Sequence, residues 1–166
     1  MTLQSFRRGY ERVLEWVCIA LMTALAAEVT AGVVFRYSGH SLVWYDEVAT
    51  VLLAWVTFYG SALAVLKHAH MGVPEVVRML PLGLRVAAAL LAQACVLGFY
   101  VLLAWTGYSI MEVLATDHLV SLPDVSVAVV QSVIPISAVL IIVAQVCVFP
   151  EVMDEALRAD IAKEPA

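Results

Sequence analysis

An all-α membrane protein of four transmembrane helices, with both termini cytoplasmic, is the fold class this sequence predicts. Three observations lead there. Of the 166 residues, 63% are hydrophobic and only 14% charged, against about 45–50% and about 25% in a typical soluble domain. The apolar residues gather in four blocks, each near the roughly 20 residues a helix needs to cross the hydrocarbon core, and mean hydropathy is +0.95. Finally, eight of the 9 Lys and Arg residues fall on one side of that four-span layout.

The first span covers residues 13–35, with Glu28 as the charge in its interior. Its Leu, Ile, Val and Phe residues, each contributing about −0.3 to −0.6 kcal/mol near a helix centre, offset the roughly 2.5–3.5 kcal/mol that an acid costs there. The second span, residues 48–66, carries no charge. The third covers residues 86–110 and is polar only at Gln93 and scattered hydroxyls. The fourth covers residues 125–149 and contains Pro135, which removes one helix hydrogen bond and predicts a kink that neighbouring helices must satisfy. Pro150 is expected to close that run. Residues 1–150 thus form one transmembrane domain. Residues 151–166 form an acidic tail, where Glu151, Asp154, Glu155, Asp160 and Glu164 supply much of the net charge of −5.

Orientation follows from the basic residues. Arg7, Arg8 and Arg12 precede the first span, Lys67, Arg78 and Arg85 lie between the second and third, and Arg158 and Lys163 follow the fourth; only Arg36 stands on the other side. Cytoplasmic loops carry such an excess of Lys and Arg, which puts both termini and the middle loop in the cytoplasm. Trp16, Trp44, Tyr45 and Tyr108 fall near span ends, as an interfacial aromatic belt requires. Arg7 and Arg8, a short apolar run and Ala24-Leu25-Ala26 imitate a cleavable signal peptide. The apolar run resumes at Val29, however, so an intact first span is expected.

The same residues exclude several functions. There is no basic stripe to hold a nucleic acid. Cys18, Cys95 and Cys147 sit singly in apolar runs and read as small hydrophobes rather than a redox pair or zinc ligands. His40, His68, His70 and His118 all fall in loops, whereas a membrane cytochrome needs helix histidines facing a haem. No phosphate loop or nucleophile motif is present. No catalytic, cofactor or metal site is expected.

What remains is polar detail on a helical frame. Glu28 is an intramembrane acid and hence a functional candidate by default; a structural hydrogen bond, with Gln93, Gln131 or Gln145 as partners, is the plainer reading. The outer turn between the first two spans is dense in polar groups. Asp46 and Glu47 suit the dipole at the start of the second helix, and Arg36 stands where it can pair with them. Gly60-Ser61-Ala62 gives the second helix a small-residue face suited to close helix packing in lipid. Residues 74–80 suit a short amphipathic turn at the cytoplasmic headgroups, with Arg78 toward the phosphates.

Phe35-Arg36-Tyr37, Trp44-Tyr45-Asp46-Glu47, Trp55, Gly60, His70, Leu80-Pro81 and the Pro135 region resemble the small permease subunit of TRAP (tripartite ATP-independent periplasmic) transporters. The resemblance runs from the first span to the fourth. It implies a bacterial or archaeal cytoplasmic membrane protein that works with a larger permease subunit and a periplasmic substrate-binding protein. Such systems import organic acids on an ion gradient, usually sodium. The resemblance also makes Arg36, Trp44, Asp46, Glu47, Gly60 and His70 candidates for partner contact. Pro74-Glu75 and Glu28 depart from the family pattern. The physics points the same way, because four helices with few inward polar groups offer no midplane transport site. The competing reading is a self-sufficient proton-coupled multidrug exporter of four helices, with Glu28 as its exchanging acid.

Overall fold

A computed structural model describes residues 3–40, 42–67 and 81–158. It consists of helices α1 (Leu3–Tyr37), α2 (Tyr45–Leu66), α3 (Leu82–Leu114), α4 (Val127–Gln131) and α5 (Val133–Arg158). Among the described residues there is no strand, only an isolated bridge between His118 and Ser126. Four segments are long and apolar enough to cross a membrane: Phe6–Tyr37, Tyr45–Leu66, Leu82–Leu114 and Val127–Asp154. The chain is a multi-pass membrane protein.

Several boundaries differ from the expected ones. Helix α1 begins well before residue 13, because the Arg, Glu and Gln residues there are good helix formers and polarity alone is no stop signal. The fourth span is broken at Ser132 into α4 and α5. Pro135, three residues on, has no N–H to give Gln131, and its ring crowds that carbonyl. The indole N–H of Trp55 donates to the Val130 carbonyl at the break, 3.1 Å away, so a neighbouring helix meets part of the loss. Pro150 does not end the last helix, which continues to Arg158. Pro150 and Val146, whose carbonyl it frees, both face outward, so the ring meets no neighbour and the carbonyl can tilt away.

The helices pack in the order α1, α2, α5, α3, with short α4 against α3 and α5. Along α1 the more enclosed positions run from Leu14 through Cys18, Leu21, Leu25 and Glu28 to Gly32. That alternation of four and three residues keeps one seam against α2. The buried core joins Leu14 to Ala62, Val65 and Leu66 of α2 and to Ile141, Ala144, Cys147 and Val148 of α5. It lies toward the end of the bundle that holds the N-terminus of α1, which we call the terminal end; the opposite end is the loop end. Hydroxyls along the spans turn back on their own helices. Thr23, Thr30, Thr57 and Ser109 each donate to the carbonyl four residues earlier at 2.6–3.0 Å, which satisfies them without water.

Charged side chains tie the terminal end. The Arg7 guanidinium pairs with Glu151 and donates to the Leu66 carbonyl at 2.9 Å, so α1 closes the C-terminus of α2 and reaches α5. The Tyr10 hydroxyl donates to Leu140 O at 2.7 Å. Lys67 Nζ stands 2.5 Å from Glu15 and 3.8 Å from Glu11. Its hydrogen bond to Glu15 first, and the charge of that carboxylate second, raise the Lys67 pKa above the ordinary lysine value. Arg85, expected as a middle-loop cation, lies in the first turn of α3, only 2% exposed and engaged. His70 and the amphipathic turn over residues 74–80 lie outside the described residues.

Candidate functional site

At the loop end, α1 finishes in a tight cap. Gly39 takes the left-handed conformation, φ +77°, which a side chain rarely tolerates. His40 N–H donates to Phe35 O at 3.1 Å and Gly39 N–H to Arg36 O at 3.2 Å. That bond pair is a Schellman motif, and it turns the chain sharply off the helix. Ser38 reinforces the cap, its hydroxyl donating to Val34 O at 2.9 Å. The chain then reaches α2, whose first turn holds Asp46 and Glu47 beside the positive end of the helix dipole.

Gly32 and Tyr45 set the spacing of α1 and α2 here. A Cβ on Gly32 would lie 2.6 Å from Cε2 and 2.9 Å from Cγ of Tyr45, and closer still to Cδ2. The ring therefore lies directly on the glycine. Arg36 lines a shallow, open depression with Val33, Tyr37 and Tyr45. Trp44 is partly exposed and supplies no side-chain cap to α2.

The expected pairing of Arg36 with Asp46 or Glu47 does not form among the described residues. Glu47 is instead directed to the other loop. Its Oε1 accepts from the Val120 N–H at 3.2 Å and its Oε2 from the Ser121 N–H at 2.9 Å. The Ser121 hydroxyl is 3.4 Å from Val43 O. The segment between α3 and α4 is otherwise folded on itself. Leu119 N–H donates to Val125 O (3.0 Å), Val125 N–H to Leu122 O (2.9 Å) and Val127 N–H to Asp117 O (2.9 Å). Ser126 caps α4, its Oγ accepting from Ala128 N–H at 3.2 Å. Glu47 takes two consecutive amides at the tip, and a carboxylate against paired backbone N–H groups is a charge-assisted arrangement. The two loops become one platform, with Tyr37, Val43 and Val120 almost fully exposed on it.

The remaining candidates are dispersed. Gly60 lies in α2, and a Cβ added there would meet nothing within 4 Å, so its close-packing face is open within this chain. Glu28 is on the α1 seam toward α2, its Oε1 enclosed without a hydrogen-bond partner among the described residues. The expected glutamine partners do not reach it. Gln131 is exposed, and the enclosed Nε2 of Gln93 is itself unpartnered among the described residues. No group of His, Cys, Asp and Glu that could hold a metal ion occurs among the described residues. All three cysteines are free.

Two positions that sequence reasoning passed over matter for the packing. Gly32 receives Tyr45, and a Cβ on Gly107 would meet Pro135 Cδ at 3.1 Å and Ile134 Cγ2 at 3.2 Å. Gly107 thereby admits the break in the last span against α3. A glycine in an apolar run signals close approach in general, but its partner here comes from another helix.

Comparison with known proteins gives this frame a context. The family profile described as "Tripartite ATP-independent periplasmic transporters, DctQ component" matches residues 25–154. Over 94 residues, 56% of the chain, it is 31% identical to a C4-dicarboxylate TRAP transporter small permease protein of Vibrio cholerae. Over 82 residues, 48% of the chain, it is 30% identical to a Haemophilus influenzae protein named for a TRAP transporter small permease. The matched stretches span 40% and 50% of the lengths of these relatives.

Proposed function

The chain belongs to the DctQ family, the small permease component of TRAP transporters, and from that premise we propose how it serves one. It braces a larger permease subunit in the bilayer and offers the loop-end platform to a periplasmic substrate-binding protein. The assembled transporter imports an organic acid on an ion gradient, with sodium as the coupling ion. Both termini and the middle loop face the cytoplasm, as the distribution of basic residues favours. Arg36, Trp44, Asp46, Glu47 and Gly60, with His70 in the middle loop, are the partner-facing residues of this reading.

One observation carries the proposal: the family match over residues 25–154 takes in the C-terminal part of the first span and all of the next three. The geometry is consistent with an accessory role. Among the described residues the buried polar side chains are only Arg85, Ser137 and Gln145, whereas secondary transporters gather polar groups and broken helices around a midplane site. The outward loops are short, so capture of scarce solute falls to another protein. Glu28 serves packing or hydrogen bonding in this scheme, with no second intramembrane charge among the described residues to complete a relay.

Co-expression with the large permease subunit tests the assembly directly. A complex that survives size exclusion in detergent is expected, and independent elution of the two chains contradicts the proposal. Impermeant maleimide tests the orientation in a background lacking Cys18, Cys95 and Cys147. Cysteines at Gly39 and Thr116 should label from outside intact cells, and labelling at Gly72 instead would reverse the topology.

A further inference from the structure

The first three turns of α1 carry three arginines that are put to different uses. Arg7 turns inward, committed to Glu151 and the Leu66 carbonyl. Arg8 and Arg12 are exposed and make no ion pair among the described residues. The nearest acids on the same helix, Glu11 and Glu15, are both engaged by Lys67. Two guanidinium groups one helical turn apart thus have no counter-charge among the described residues.

Their surroundings identify what supplies it. At 100° per residue, Arg8, Arg12, Trp16 and Ile19 share one outward arc of α1, opposite the seam that packs on α2. Trp16 is 67% exposed and Ile19 55% exposed. The arc therefore reads cation, cation, indole, aliphatic as it descends toward the membrane interior. Depth agrees: Arg12 and Arg36, near opposite ends of α1, are separated by about 36 Å at 1.5 Å per residue. The hydrocarbon core is about 30 Å thick, and about 40–45 Å with the headgroups. Both arginines therefore fall in the headgroup layers, with Arg8 a further ~6 Å out. The indole sits where an interfacial tryptophan belongs, and the aliphatic surface below it meets acyl chains.

We infer that Arg8 and Arg12 form a binding site for the phosphate of an anionic phospholipid, with Trp16 and Ile19 as the bed for its glycerol and upper acyl chains. Guanidinium groups favour phosphate through paired N–H donors. The lipid is the occupant because the cations open onto the same outward arc as the lipid-facing apolar residues. A free phosphate would use the charges and leave that apolar surface without a role. The inference rests on the membrane-spanning character of α1 and not on the proposed transport function.

The test is native mass spectrometry of the intact chain in neutral detergent, titrated separately with phosphatidylglycerol, phosphatidylcholine and inorganic phosphate. Phosphatidylglycerol should bind about tenfold more tightly than phosphatidylcholine, in keeping with the attraction of two interfacial cations to anionic lipid. Arg8→Gln with Arg12→Gln should bring the two lipids within about twofold, whereas the Lys pair should keep most of the preference. Both positions are exposed, and circular dichroism with size exclusion confirms that each variant is folded. Inorganic phosphate at millimolar concentration should not displace the lipid. Equal binding of the two lipids by the native chain, an unchanged preference in the Gln pair, or displacement by phosphate each overturns the inference. So does loss of the preference when the large permease subunit is added, since a protein surface would then be the occupant.

Discussion

Replacing Glu47 by alanine removes the two bonds that join the loops at the loop end while leaving both covalent connections intact. A hydrogen bond to a charged group contributes about 1.5–3 kcal/mol when well formed. Here one bond is 2.9 Å and the other 3.2 Å, and the carboxylate is only half-enclosed, so water recovers part of the loss. A change of about 1.5–3 kcal/mol for the pair is the appropriate scale. The segment should open locally without global unfolding, because the core lies at the far end of the bundle. Residue-resolved amide exchange in nanodiscs reads this out. Val120 and Ser121 should exchange roughly 10- to 100-fold faster, while amides beside Ile141 and Ala144 stay unchanged. Glu47→Gln keeps one acceptor oxygen and should fall between the native chain and the alanine variant. Exchange at Val120 and Ser121 within about twofold of native in Glu47→Ala would refute the clasp as a stabilising contact.

The two glycines on α1 and α2 make opposite predictions. Gly32→Ala drives a carbon into the Tyr45 ring and should destabilise the bundle by about 1–3 kcal/mol in reversible unfolding. Gly60→Ala meets nothing within 4 Å and should leave the isolated chain within about 0.5 kcal/mol, so any larger effect must appear only in the assembled complex. Lys67 has a raised folded-state pKa, so its contribution is fully present below the unfolded value of about 10.4 and is lost as pH rises through the folded value. Stability should therefore decline more steeply above pH ~10.4 in the native chain than in Glu15→Gln. Glu28→Gln should retain most uptake in the assembled transporter. A loss beyond about tenfold with normal assembly, some 1.4 kcal/mol in barrier, would instead make Glu28 a coupling residue.

Local features of this chain were well written in its sequence. Four apolar runs gave four spans, because hydrocarbon forces every backbone group into an internal bond and leaves helices as the answer. The kink near Pro135 was legible for the same reason, since a missing N–H is a property of one residue. Ends of elements were harder. Nothing near residue 13 stops a helix, and Pro150 is tolerated where its ring faces outward, a fact about rotation around α5 that the residue itself does not encode. The site shows the limit most clearly. Asp46 and Glu47 were rightly set at the start of α2, but Arg36 was their expected partner because it is near in sequence. Glu47 finds its donors more than seventy positions away, and those donors are backbone amides, which every residue but proline carries. Gly32 and Gly107 escaped notice because the groups they admit, Tyr45 and Pro135, come from other helices. Small residues mark close approach, and only the fold says to what.

Reconstituted transport tests the accessory-subunit account most directly. Proteoliposomes holding this chain alone, under an inward sodium gradient, should take up no organic acid above empty vesicles. Adding the large permease subunit and the loaded substrate-binding protein should give uptake that requires sodium and no ATP. Robust uptake by this chain alone would contradict the account and favour a self-sufficient four-helix exchanger working through Glu28.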